Sequence, residues 1–344
     1  DSQGQSGSVA IVSGASVRDS GVVSLRTGDA SSAGAVVLSP GSSTSKDGAG
    51  ILLSGGDTLS NAPGSQGGDL SLIGGNGREG GDVLLHGGEG TSAAGGEIKL
   101  IGGVSTSAIG AGGSVSVMGG ESTAGITNGG SVSIEGGSSV KGQGGSLLLA
   151  GGSSESRSGG SVYIHSTAIA AESSFSGDVK IETGDSPHGS SGNVGLTGGN
   201  SRDLASSISL QAGISKLNKG GDILLNGGAG VSGGDSIIES GLATHGNGGA
   251  IFLRSGESDE TLASTGRVTI RSANSGGSTG EVSLRSGNSD SGATGNAIIK
   301  TGDSTGFSAG KVTVLAGTSS ASMGADLLLR AGHTTQSDLS TGGT

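Results

Sequence analysis

The sequence predicts an all-β fold: a parallel β-solenoid (β-helix) of 22 short repeats of about 15 residues, with two strands per coil. Three observations lead there. One phrase recurs from end to end: Gly, a polar residue, an apolar–x–apolar triplet, then Gly again, as in GGDVLLHGG (80–88), GGSVSIEGG (129–137), GGSLLLAGG (144–152) and GGDILLNGG (220–228). The triplets keep two clean columns: the first residue is Val, Ile or Leu in 20 of 22 copies, with Ser236 and Ala297 departing, and the third residue is so in all 22. No helical periodicity appears, and Gly, at 78 residues, would cost a helix about 1 kcal/mol per position.

In chain order the triplets begin at Val9, Val23, Val36, Ile51, Leu70, Val83, Ile98, Val115, Val132, Leu147 and Val162. They continue at Val179, Val194, Ile208, Ile223, Ser236, Ile251, Val268, Val282, Ala297, Val312 and Leu327, with spacings of 13 to 19 residues. Period-two alternation puts the outer two triplet residues on one side of a strand. The residue before, the one between and the one after then point the other way. Val in the first column and Leu in the second suit a pleated, buried surface. Glycine pairs at both ends permit positive φ and therefore sharp turns. The connectors between them, such as EGTSAA (89–94) and ESTAGITN (121–128), are rich in Ser, Gly, Ala and Thr.

With two triplets per coil, odd and even repeats form opposed sheets whose Val and Leu columns meet, giving about 11 coils and a length near 50 Å. One triplet per coil is the alternative, with lone connector apolar residues covering a single sheet; Val17, Leu59, Ile109, Ile126, Val140, Leu217, Val231, Leu262 and Phe307 are available for that. An antiparallel meander ranks last because the connectors are long for hairpins. Apolar middle positions (Leu52, Leu84, Leu148, Leu224, Ile237, Phe252, Ile298 and Leu328) are predicted to face outward, which hints at lateral or end-to-end self-association.

The repeat spans 1–344 as a single continuous array, and a start at Asp1 without Met is expected of a processed form or a segment of a longer chain. No apolar run reaches the roughly 18 residues of a membrane span. A net charge of −11 argues against general nucleic-acid binding. No cofactor is expected. The three Pro and the lack of a third-residue Gly exclude collagen, while the two clean columns argue against disorder.

At GGDLSLIGG (67–75), GGDVLLHGG and GGSVSIEGG the phrase resembles the repeats of filamentous haemagglutinin-type adhesins, which are long parallel β-helices. It also looks like Gly/Ser-rich repeat proteins predicted on microalgal surfaces. This resemblance implies an extracellular or cell-surface location and an adhesive or fibrous role.

Sites of chemistry are sparse. Gly75-Asn76-Gly77-Arg78-Glu79-Gly80 matches GxGxxG, but a dinucleotide site needs a helix next, and the triplet Val83–Leu85 follows instead. Asp69, Asp82, Asp178, Asp222, Asp235 and Asp326, with Glu97 and Glu281, precede triplets; many copies have Ser there and the calcium nonapeptide pattern is missing, so solvated positions are expected. His86 and His165 follow triplets, while His188, His245 and His333 lie in connectors, without the recurrence a transition-metal site requires. No nucleophile elbow is present, and with aromatics at 1% there is little for a sugar-cleaving site to stack on. Ice binding would need a regular outward Thr array, whereas Ser116, Leu148, Tyr163, Lys180, Gly195 and Ile237 occupy those middle positions.

One basic feature stands out. Arg254, Arg271, Arg285 and Lys300 follow four successive triplets, with Arg267, Lys311 and Arg330 nearby. Stacked cations repel unless an anion or neighbouring acid offsets them, and Glu257, Asp259, Glu260 and Glu281 are close in sequence. The sequence therefore points to a non-enzymatic structural repeat protein of an extracellular fibre, sheath or adhesin stalk. Its alternative is an adhesin-type module holding anionic cell-surface polysaccharide along the edge 254–330.

Overall fold

The computed structural model describes residues 6–44, 47–123, 126–167, 175–259 and 263–332. Among them there is no helix and no strand, so the predicted all-β solenoid is not what the chain forms. No coil, opposed sheet or stacked ladder is present among the described residues. The chain divides into two units, Asp1–Val179 and Lys180–Thr344, and the repeat runs through both. No helix of the described residues is long and apolar enough to cross a membrane.

The failure of the solenoid is one of backbone pairing and of area. A sheet needs the triplets' own N–H and C=O groups to form ladders. Outside one turn, the backbone hydrogen bonds found instead join glycine-rich triplet flanks across single connectors, six to twelve residues apart in sequence, as with Gly81 N–H to Gly75 O (2.9 Å) and Gly68 N–H to Gly56 O (2.8 Å). The chain exposes 34929 Å². A folded monomer of its 32.2 kDa would expose about 12,000 Å² and a fully extended chain about 47,000 Å². No residue among those described is buried. The connectors carry too little apolar surface to lay over the triplets: Val17, Leu59, Ile109, Val140, Leu217, Val231 and Phe307 stand in solvent rather than covering anything. Leu262 lies outside the described residues.

Alternation of exposure nevertheless survives in most triplets with an apolar middle residue, though not at Leu327–Leu329, where Leu329 is more exposed than Leu328. Val83 and Leu85 keep 51% and 57% of their surface exposed against 79% for Leu84 between them. Polar side chains two apart meet on the opposite side. Lys99 Nζ lies 2.7 Å from Glu97, Lys180 Nζ 2.6 Å from Glu182, and the Ser133 hydroxyl donates to Glu135 Oε1 at 2.8 Å. Each pair joins the middle position to the residue before or after the triplet, as alternating side chains require.

Protection lies elsewhere in the repeat. Twelve described residues are partly shielded, and all fall in two columns that are not apolar. Nine stand two residues after a triplet: Ser13, Gly74, Gly102, Ser166, Gly198, Ala212, Ser255, Ser272 and Thr301. The other three, Ser105, Ala243 and Ser258, stand five residues after one.

The first column forms the neck of each connector. After Val83–Leu85 the chain runs His86-Gly87-Gly88, loops through 89–94, and returns at Gly95-Gly96. Gly96 N–H donates to Gly88 O at 2.8 Å. A Cβ on Gly87 would overlap the Gly96 carbonyl, so this close approach of two backbones demands glycine. Positive φ is not the reason for the glycine pairs: among the described glycines only Gly64 (φ 86°) and Gly246 (φ 99°), both inside connectors, adopt it. Gly64 does so as the third residue of a turn, Ala62-Pro63-Gly64-Ser65, closed by Ser65 N–H to Ala62 O at 3.1 Å. Proline second and a positive-φ glycine third make this a type II turn.

The second column opens the connector. Sixteen of the 22 repeats have Ser or Thr five residues after the triplet, a regularity that gives otherwise variable connectors a common start. There the hydroxyl oxygen accepts from a backbone N–H two or three residues on: Ser139 from Gly142 (2.8 Å), Ser154 from Arg157 (3.0 Å), Ser215 from Asn218 (3.0 Å) and Ser289 from Gly292 (3.0 Å). Such local bonds hold a turn without needing a core.

Candidate functional site

The residues expected to form one basic ladder are separated. Arg254 is exposed and pairs with Glu257, Nη1 to Oε1 at 3.2 Å, beside Phe252 and Leu253 at the surface. Its charge is thus offset by a near neighbour in sequence. Arg271 lines a different open hollow with Arg267 and Thr269. Arg285 lines a third, with Leu284, Ser286 and the segment Asn296–Ile298 from the start of the next triplet. Lys300 is exposed and makes no ion pair among the described residues. A ladder across successive repeats needed stacked coils, and without stacking the cations are grouped within a repeat or across one connector. Glu260, expected to help neutralise them, lies outside the described residues.

The Arg267–Thr269–Arg271 group brings two of the cations to one open hollow. The three residues precede, divide and follow the triplet Val268–Ile270, and alternation turns them to one side. Neither guanidinium has an ion pair or hydrogen bond among the described residues, and no carboxylate lines the hollow. Reading the sequence along the repeat axis grouped Arg271 with Arg254, Arg285 and Lys300, with Arg267 only nearby, and did not single out Thr269. The signal was present, since positions 267, 269 and 271 are two apart.

The remaining sequence candidates fall into the same local scheme. Gly75–Gly80 is a connector whose neck is closed by the Gly81 N–H bond to Gly75 O, and no helix follows it. Asp222 pairs with Lys219 at 2.7 Å and Glu97 with Lys99. Among the described residues no three His, Asp or Glu side chains gather in a way that could hold a metal ion. The His165 ring lies 3.2 Å, through Nδ1, from the Ser166 carbonyl, and His333 is outside the described residues. Comparison with known protein families, with curated proteins and with solved structures finds no match to this chain.

Proposed function

We propose that this chain is a non-enzymatic structural repeat protein of the cell exterior, a component of a fibre, sheath or adhesin stalk, that works by association of many copies. One observation carries the reading. Two apolar columns recur through 22 repeats, yet none of their described residues is buried. Apolar area on this scale, repeated at a regular interval, favours covering by an identical surface on another copy. The neck bonds and serine turns supply local order that does not depend on a core, leaving the triplets as the adhesive element. The resemblance of the repeats to extracellular adhesin repeats supports the location.

Sedimentation velocity of the full chain across a hundredfold concentration range, with electron microscopy of the same samples, tests this. Assembly should grow with concentration, and Val132→Asp with Ile134→Asp should weaken it. A monomer at every concentration, without filaments, would overturn the proposal.

A second reading, an adhesin-type module for anionic polysaccharide, is favoured by the carboxylate-free hollow at Arg267, Thr269 and Arg271.

A further inference from the structure

We infer that Arg267, Thr269 and Arg271 form an oxyanion site, and that its ligand is a sulfate ester carried by a polysaccharide. The inference rests on the glycan-binding reading and narrows it to one repeat and one chemical group.

The Cα atoms of Arg267 and Arg271 are at most about 14 Å apart, four residues of extended chain. Arginine side chains starting from either end can therefore converge over Thr269 between them. Each guanidinium offers a fork of N–H donors, and the Thr269 hydroxyl adds one more from below. A sulfate monoester presents three terminal oxygens and suits donors from three directions, whereas a carboxylate presents two. Charge-assisted bonds of this type are the strong ones, and Arg makes them in bidentate form.

The contrast with Arg254 sharpens the assignment. That residue stands at the same position of the preceding repeat, and Glu257 already occupies its Nη1. Arg267 and Arg271 have no such partner among the described residues. Two unpaired guanidinia around one hydroxyl, on a chain whose net charge is −11, concentrate positive charge where the whole molecule repels polyanions. Retention on a polyanion must then be local.

The test is salt-gradient elution of the full chain from immobilised heparin, with unsulfated dextran and single-stranded DNA as comparison supports. The variants are Arg267→Gln with Arg271→Gln and, as a control of equal charge change, Arg18→Gln with Arg26→Gln. The wild type should be retained on heparin alone, and sodium sulfate should displace it at lower ionic strength than sodium chloride. Affinity should fall at least about tenfold in the first variant, through loss of two charge-assisted contacts, and stay unchanged in the control. Equal losses in both variants, or none in the first, would overturn the site while leaving glycan binding intact. Equal retention on DNA would overturn the sulfate-ester assignment. A wild type that passes through heparin unretained would remove both the site and the glycan reading.

Discussion

The connector necks of residues 55–160 and those of residues 198–302 solve the same problem with different chemistry. In the first stretch seven successive necks carry paired glycines, and their N–H to O distances are 2.8–2.9 Å. In the second, only Gly227-Gly228 with Gly233-Gly234 repeats that arrangement, at 2.9 Å. Elsewhere Ala, Ser or Thr replaces the first glycine, or Ser206 replaces the returning one. Gly221, Gly249 and Gly266 then donate at 3.0–3.1 Å and Ser206 at 3.5 Å, and among the described residues no such bond occurs beyond Gly266. A Cβ at the neck holds the two backbones apart. Where that Cβ bears a hydroxyl, part of the loss is recovered: Ser240 Oγ donates to Gly249 O at 2.9 Å and Thr27 Oγ1 to Gly34 O at 3.1 Å. Neck closure therefore depends on side-chain volume at the two facing positions of the neck, with the hydroxyl as a substitute for contact.

The largest expected effect comes from putting bulk into a glycine neck. In Gly74→Val the new side chain meets the Gly81 carbonyl, which is backbone and cannot move aside cheaply. The bond from Gly81 N–H to Gly75 O should open, removing about 1 kcal/mol of local stability and raising hydrogen exchange at Gly81 about fivefold. Unchanged exchange at Gly81 would show that the neck does not depend on close approach. A smaller effect is expected at the hydroxyl neck. Ser240→Gly should convert it to the glycine class and slow exchange at Gly249, while Ser240→Ala, keeping the Cβ and losing the donor to Gly249 O, should speed it by two- to threefold, roughly half a kcal/mol. If Ala and Gly behave alike, the hydroxyl rather than the volume decides. The smallest change belongs to the connector opening. Ser139→Ala removes the acceptor for Gly142 N–H and should raise exchange there by about twofold, with Gly145 at the neck unaffected. Loss of protection at Gly145 as well would mean that turn and neck close together.

The two regions also differ in what surrounds their cations. Within 55–160 the basic residues are scattered, whereas 254–300 places Arg or Lys after four consecutive triplets. The sequence grouped that cluster along an axis that the fold does not provide. Arg254 went to Glu257, and Arg271 joined Arg267 and Thr269. The error has a physical source. Contacts two residues apart follow from one segment's alternation, while contacts fifteen apart require a ladder between segments.

Much of the repeat was determined by the sequence alone. The triplet columns, the alternating exposure at Val83, Leu84 and Leu85, and the polar pairs Glu97–Lys99 and Lys180–Glu182 all follow from steric alternation within a few residues. The neck and connector columns were equally written in it, as Gly, Ser, Thr or Ala two residues after 21 of the 22 triplets and Ser or Thr five residues after 16. They are easily passed over because small polar residues look like filler beside Val and Leu. Only the tertiary structure decided whether one triplet pairs with another. A Val/Leu column reads the same whether its strand is stacked in a sheet or standing alone. The choice depends on backbone hydrogen bonds between segments and on enough apolar area to offset the entropy of ordering Gly-rich connectors. Here the backbone bonds that form among the described residues close across single connectors, and the apolar columns stay exposed.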